Sequence, residues 1–181
     1  PLLTLPVAVL FGFLLGVVCY TGFVRYLLRG PMIAQLLGTF GLMLLLRNLA
    51  LLFFGPEDRA VMSGVLVGKS FDLGMGVIIP ATKLAASAIS VLAFLGIWLL
   101  INRTRFGKAL KATALNPQGA RYMGIPTEKM YAVAWGLGGA TVMAAGAIIV
   151  NFWSVTPFAG LLFTMMAFAI VALGGFGSVP G

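Results

Sequence analysis

The sequence predicts an all-α protein, a polytopic bundle of transmembrane helices, and three observations carry that expectation. The 181 residues are 61% hydrophobic and 9% charged, where an ordinary soluble domain is roughly 25% charged. Apolar runs reach about 20 residues, the length that crosses a hydrocarbon core about 30 Å thick. Basic residues gather in short connections between those runs, so the net charge of +8 reads as membrane topology. A lipid membrane is the expected surrounding. Nucleic acid is not an expected partner, because no basic face continues beyond one loop.

Five spans follow in order. The first is Leu2 to Tyr20, with Pro6 in its first turns where a missing N–H costs least. A connection, residues 21–31, carries Arg25 and Arg29. Met32 to Phe54 makes the second span, about 34 Å long by helical rise. Residues 55–80 hold Pro56, Glu57, Asp58, Arg59, Lys69, Asp72 and several glycines, too polar to span, and are expected outside the membrane as a loop with a short hairpin. Leu84 to Ile101 is the third span, Lys129 to Val150 the fourth and Phe158 to Leu173 the fifth, with Trp153 in the last turn suited to a membrane interface.

Alternating sides allow the loops to be compared. One side carries Arg25, Arg29, Arg103, Arg105, Lys108, Lys111, Arg121 and Lys129, while the other offsets Arg59, Lys69 and Lys83 with Glu57, Asp58 and Asp72. The positive-inside rule therefore puts residues 102–126 in the cytoplasm.

That cytoplasmic stretch reads NRTRFGKALKATALNPQGARYMGIP. As a helix it sets Phe106, Ala109, Leu110 and Thr113 on one face and Arg105, Lys108 and Lys111 on another. Asn116 suits an N-cap, Pro117 the first helical position, and Gly124 the close of a second short helix. Thr127 and Glu128 are expected to cap the fourth span. The stretch reads as two ordered helices at the membrane face, either resting on anionic headgroups or serving as a docking surface for a cytoplasmic partner.

Three motifs, RTRFGKALKATA (Arg103 to Ala114), ARYMGI (Ala120 to Ile125) and ALGGFGSVPG (Ala172 to Gly181), resemble the permease subunits of ATP-binding-cassette importers for branched-chain amino acids and their relatives for urea and short amides. The resemblance extends in spacing over the whole chain, through LLLRNLALLFFG, and departs from it at Leu115 and Asn116, where such permeases often carry an acidic pair. It implies one permease domain over residues 1–181, in a bacterial inner membrane, with residues 102–126 as the coupling element that seats in a groove of the ATPase. On that implication Arg105, Phe106, Lys108, Leu110, Lys111, Ala120, Gly124 and Ile125 form the docking set. The implied partners are a second permease subunit, two ATPases and an external solute-binding protein. ATP would be bound by the partner, with no cofactor in this chain.

Within the spans, Arg47 and Asn48 lie about 10 Å below the outer end of the second. Arg47 reads as snorkelling, as pairing with Glu57 or Asp58, or as facing a solute path. Asn48 reads as an interhelical hydrogen bond or a path residue. Ala132, Gly136, Ala140 and Ala144 recur every four residues as a packing stripe. Gly174, Gly175 and Gly177, with Pro180, break the fifth span, as a helix end or as part of a path.

Histidine is absent and Cys19 is the single cysteine. An intrachain disulfide, histidine-based acid–base chemistry, Ser-His triads and most zinc or haem sites are thereby excluded, and neither a catalytic residue nor a metal is expected. The segment SGVLVGKS, Ser63 to Ser70, ends like a phosphate loop but has Ser63 where the first glycine belongs. A secondary carrier or channel without an ATPase is the rival reading, and it lacks the acidic intramembrane residues that ion coupling usually uses. Pro1 opens the chain with no signal-peptide pattern and the chain stops at GSVPG, so both ends read as cut from a longer protein.

Overall fold

The computed structural model describes residues 4–57, 70–72, 78–151, 153–156 and 158–174. Asp58, Arg59, Lys69, most of SGVLVGKS, Gly175, Gly177 and Pro180 lie outside the described residues. The elements are α1 (Thr4–Cys19), a π-turn (Tyr20–Val24), α2 (Arg25–Leu27), α3 (Met32–Phe54), β1 (Ser70–Asp72), β2 (Ile78–Pro80), α4 (Ala81–Arg103), α5 (Arg105–Leu115), α6 (Pro117–Tyr122), α7 (Thr127–Ile149) and α8 (Ala159–Gly174). Among the described residues, four helical runs are long and apolar enough to cross a membrane, and Ala159–Leu173 is a shorter apolar helix. An all-α bundle of about five spans is the outcome.

Several boundaries move from their expected places. The first span does not stop at Tyr20: α1, the π-turn and α2 form one continuous helical run, Thr4–Leu27, of 24 residues. Nothing in YTGFVRYLL breaks a helix strongly enough, and the stop comes at Gly30 and Pro31. Much of the expected connection 21–31 is therefore helix. The third span is longer at both ends than Leu84 to Ile101, running Ala81–Arg103. Pro80 is its N-cap residue, with the extended backbone that position requires. The second span, Met32–Phe54, ends as expected, closed by Gly55 at φ 78°. The two short strands pair antiparallel, Phe71 opposite Ile79.

The main helix pairing in the bundle is between α1 and α7. Its two sides are built from glycine. A Cβ at Gly12 would strike the Gly139 carbonyl oxygen and come within 2.7 Å of the Met143 side chain; one at Gly16 would strike the Trp135 carbonyl. From the other side, a Cβ at Gly136 would meet the Phe13 ring at 2.7 Å and the Val17 methyl at 2.9 Å, and one at Gly139 would strike the Gly12 carbonyl. The residue pairs run in opposite directions along the two helices, so α1 and α7 are antiparallel. In a bilayer there is no hydrophobic drive between helices, and close backbone approach through small residues is what makes such a contact attractive. Gly12, Gly16, Tyr20 and Val24 are all buried, one every four residues, and so are Gly136 and Ala140.

The glycines of α7 differ sharply in surroundings, which supplies an internal control. Gly139→Ala is expected to destabilise the full-length protein by about 1–3 kcal/mol through overpacking against α1. Gly138 has nothing within 4 Å of its would-be Cβ, and Gly138→Ala is expected to be neutral or to stabilise by up to about 1 kcal/mol through helix propensity. Denaturant titration in detergent measures both, and equal effects of the two changes would remove the close-contact account.

Candidate docking loop and pathway residues

The stretch between α4 and α7 is two helices, each held by local side chains. Thr104 caps α5, its hydroxyl accepting from the Gly107 N–H at 3.0 Å. Gly107 is needed there for a second reason: a Cβ at this position would overlap the Ile101 backbone, so the turn from α4 into α5 closes tightly. Asn116 caps α6, its side-chain oxygen accepting from the Gly119 N–H at 2.9 Å, with Pro117 next in line. The end of α6 is closed by Gly124 at φ 78°, where the Gly124 N–H donates to the Arg121 carbonyl and the Ile125 N–H to the Ala120 carbonyl, both at 3.0 Å. This is the Schellman pattern, which satisfies carbonyls that a helix end otherwise leaves bare. The loop is ordered because its own sequence caps it.

α5 packs on the ends of α4 and α7 as well as on α6. Thr113 is fully buried, and its hydroxyl donates to the Ala109 carbonyl. Phe106, Ala109 and Leu110 are half-buried, while Arg105 and Lys108 are exposed. Lys111 is also exposed but turns back, its Nζ donating to the Asn102 side-chain oxygen at 2.6 Å. Ala120 is buried and Ile125 half-buried, so they hold the loop together, and Gly124 is exposed. The docking set thus divides into a bundle-facing part and an outward basic side, Arg105 and Lys108, with Lys111 tied back to the loop. Sequence reading missed three residues on the free side: Leu115, Tyr122 and Met123 are 88%, 89% and 82% exposed. The signal was available, since apolar residues at the C-terminal ends of two capped amphipathic helices have no place left on the inner face.

Thr127 and Glu128 do not cap α7 through their side chains. Pro126 holds the N-cap position and no side-chain cap bond forms. The buried Thr127 hydroxyl accepts instead from Arg121 Nε at 2.9 Å, and Glu128 pairs across to the first span, 2.6 Å from Arg25 Nε and 3.8 Å from Arg29. Arg25 Nε is buried without an aligned hydrogen bond, so the close contact with Glu128 is one of charge. Both side chains are 42% exposed, and at that exposure such a pair adds about 0–1 kcal/mol.

Among the residues read as a possible path, Arg47 has no ion pair to Glu57 among the described residues. Its guanidinium carbon lies 4.2 Å from the centre of the Phe158 ring, a cation–π contact that joins α3 to the turn before α8. Asn48 makes no interhelical bond among the described residues; its amide donates to the Leu44 carbonyl of its own helix at 2.8 Å, the usual resort of a short polar side chain in a helix. Gly174 is the last residue of α8. Of the α7 stripe, Gly136 and Ala140 are buried and Ala132 and Ala144 half-buried.

All of residues 1–181 match the family model described as the permease component of the branched-chain amino acid transport system. The chain belongs to this family. It is 30% identical over 151 residues to the high-affinity branched-chain amino acid transport system permease protein LivH of Salmonella typhimurium, covering 81% of this chain and 48% of that protein. To BraD, a high-affinity branched-chain amino acid transport system permease protein of Pseudomonas aeruginosa, it is 27% identical over 176 residues, 94% of this chain and 55% of BraD. To the autoinducer 2 import system permease protein LsrC of Escherichia coli it is 33% identical over 181 residues, 98% of this chain and 50% of LsrC. The chain spans about half the length of the curated relatives it matches. No solved structure matches it at the level these relatives reach. As a member of this permease family the protein is a multi-pass membrane protein, of a family of transport components rather than enzymes.

The caps of the loop can be removed singly. Asn116→Ala is expected to weaken α6 by about 1 kcal/mol, and Gly124→Ala by about 1–2 kcal/mol because φ stays positive. Hydrogen exchange of the α6 amides should quicken several-fold in each, with the amides in the middle of α7 unchanged.

Proposed function

We propose that this protein is the membrane permease subunit of an ATP-driven importer for branched-chain amino acids or similar small polar solutes, and that residues 102–126 couple ATPase motion to the solute pathway. The observation that carries this reading is the capped helix pair between α4 and α7, whose outer side presents Arg105, Lys108, Leu115, Tyr122 and Met123 to solvent. A rigid pair braced on two spans transmits a displacement, which a floppy loop would absorb. Its mix of cations and bare apolar side chains suits a protein groove.

On this reading residues 102–126 face the cytoplasm of a bacterial cell and residues 55–80 the outside of the inner membrane. The permease works with a second permease subunit, two ATPases that bind the ATP, and an external solute-binding protein. ATP binding draws the two ATPases together, the loop follows, and the pathway passes from an outward to an inward opening. Arg47 and Asn48, with Gly174 and the glycines after it, are the pathway candidates. A stacked guanidinium keeps the edge of its fork free, and that edge matches a carboxylate. The relatives' names span amino acids and autoinducer 2, so selectivity is assigned to the few polar side chains of the spans together with the binding protein.

The test is co-purification of the full-length protein from its native membrane in mild detergent. An ATPase should accompany the natural chain in stoichiometric amount and be reduced at least tenfold by the Arg105→Glu, Lys108→Glu double change. An intact preparation without any ATPase would replace the importer by a carrier or channel.

A further inference from the structure

Two side-chain links meet where the first span passes the cytoplasmic loop. In one, Arg121 of α6 donates to Thr127, the first residue of α7. In the other, Glu128 of α7 faces Arg25 and Arg29 at the end of the first span. Together they run from the loop, through the start of α7, into a helix more than ninety residues earlier in the chain. Tyr20 and Tyr131 add a ring contact beside them, 6.3 Å between centres.

We propose that Glu128 and Arg25 are positioning residues that make the end of the first span move with the docking loop. The proposal rests on the reading of that loop as the ATPase seat. α7 follows α6 through four intervening residues, so its start is tied to the loop by the chain itself, whereas α1 is tied to α7 only by packing. The glycine contact holds the two helices at Gly12 and Gly16. Beyond the glycines the contact passes to side chains, Tyr20 against Tyr131 and the buried Val24. Arg25 lies roughly 14 Å beyond Gly16 by helical rise, so the ion pair there fixes the orientation at the end of a contact that side chains alone hold less firmly.

The geometry points to placement and not to stability as the purpose. A pair this exposed stabilises little, yet two guanidinium groups converge on one carboxylate, and no other acidic side chain among the described residues pairs with either. The π-turn Tyr20–Val24 comes immediately before Arg25. Such turns widen a helix by one residue and are frequent at functional sites. Without one, each later residue would be rotated by about 100° around the axis, and Arg25 would leave the side on which Glu128 stands. Val24, buried at 2% exposure, holds the turned segment against its neighbours.

The experiment uses the complete transporter in proteoliposomes, reading solute uptake and ATP hydrolysis together. Glu128→Gln is expected to leave hydrolysis within about twofold and to lower uptake per ATP at least fivefold; Arg25→Glu should do the same. The exchanged pair Arg25→Glu with Glu128→Arg is expected to recover at least half of the natural ratio, a rescue that loss of folding would not give. Unchanged uptake per ATP in Glu128→Gln, or no rescue by the exchange, would overturn the proposal. A second measurement on the permease alone separates it from the importer reading. With Cys19 and any other cysteine of the full-length chain replaced by serine, nitroxide labels replace Tyr26 and Tyr122, both well exposed. Their distance distribution should be narrow in the natural pairing and broad in Glu128→Gln. If the natural complex hydrolyses no ATP, the importer reading fails while the distances still decide the link; equally narrow distributions would sink the link whatever the ATPase does.

Discussion

Everything else in this bundle depends on how closely the backbones of α1 and α7 approach. Four glycines, Gly12, Gly16, Gly136 and Gly139, each stand where a methyl group would collide with the other helix. In water such a contact would be one among many, since apolar burial would drive the helices together whatever their surfaces. In a membrane the surrounding chains are as apolar as the helices, and only shape and polar contacts distinguish a protein neighbour from a lipid one. A groove of glycine backbone is a shape that lipid tails fill poorly and a matching helix fills well. The loop helices are braced against this pair through α5 and α7, so the position of the cytoplasmic face is set from within the membrane.

What could be read from the sequence was whatever is decided locally. Met32–Phe54 is bounded by Pro31 and Gly55, and its ends came out where those residues put them. The caps at Asn116 and Gly124 act over three residues in either direction, and the chemistry of each is legible without any neighbour. The two faces of α5 follow from the period of a helix, and the exposed Arg105 and Lys108 and the buried Thr113 agree with it.

The rest was set by partners distant in sequence. Thr127 has the side chain of a capping residue, but Arg121 occupies its hydroxyl, and Glu128 stands in the first turn of its own helix as expected while its carboxylate pairs with the first span. The end of the first span was misplaced because Arg25 read as loop, whereas it lies in the last helical turn; Arg29 does lie in the connection, and both carry charge to an acid on α7. The α7 stripe was visible in the sequence, yet its counterpart Gly12-Phe13-Leu14-Leu15-Gly16 passed unread, although two glycines four apart in an apolar run are the usual mark of a close helix contact. Asn48 shows the opposite case: a polar residue that could reach another helix satisfies itself at home.

The span from Gly16 to Gly139 also sets an order of events during synthesis. At about 5–20 residues per second, the ribosome needs on the order of 10 s to reach the second half of the contact once the first has been made. α1 therefore enters the membrane with its glycine groove facing lipid and waits there while α3 and α4 are inserted. The loop is synthesised within that interval and takes its final place only with α7, because α5 packs on α7 and Arg121 is held by Thr127. The groove on α1 thus selects the face of α7 and seats the cytoplasmic loop in the same step.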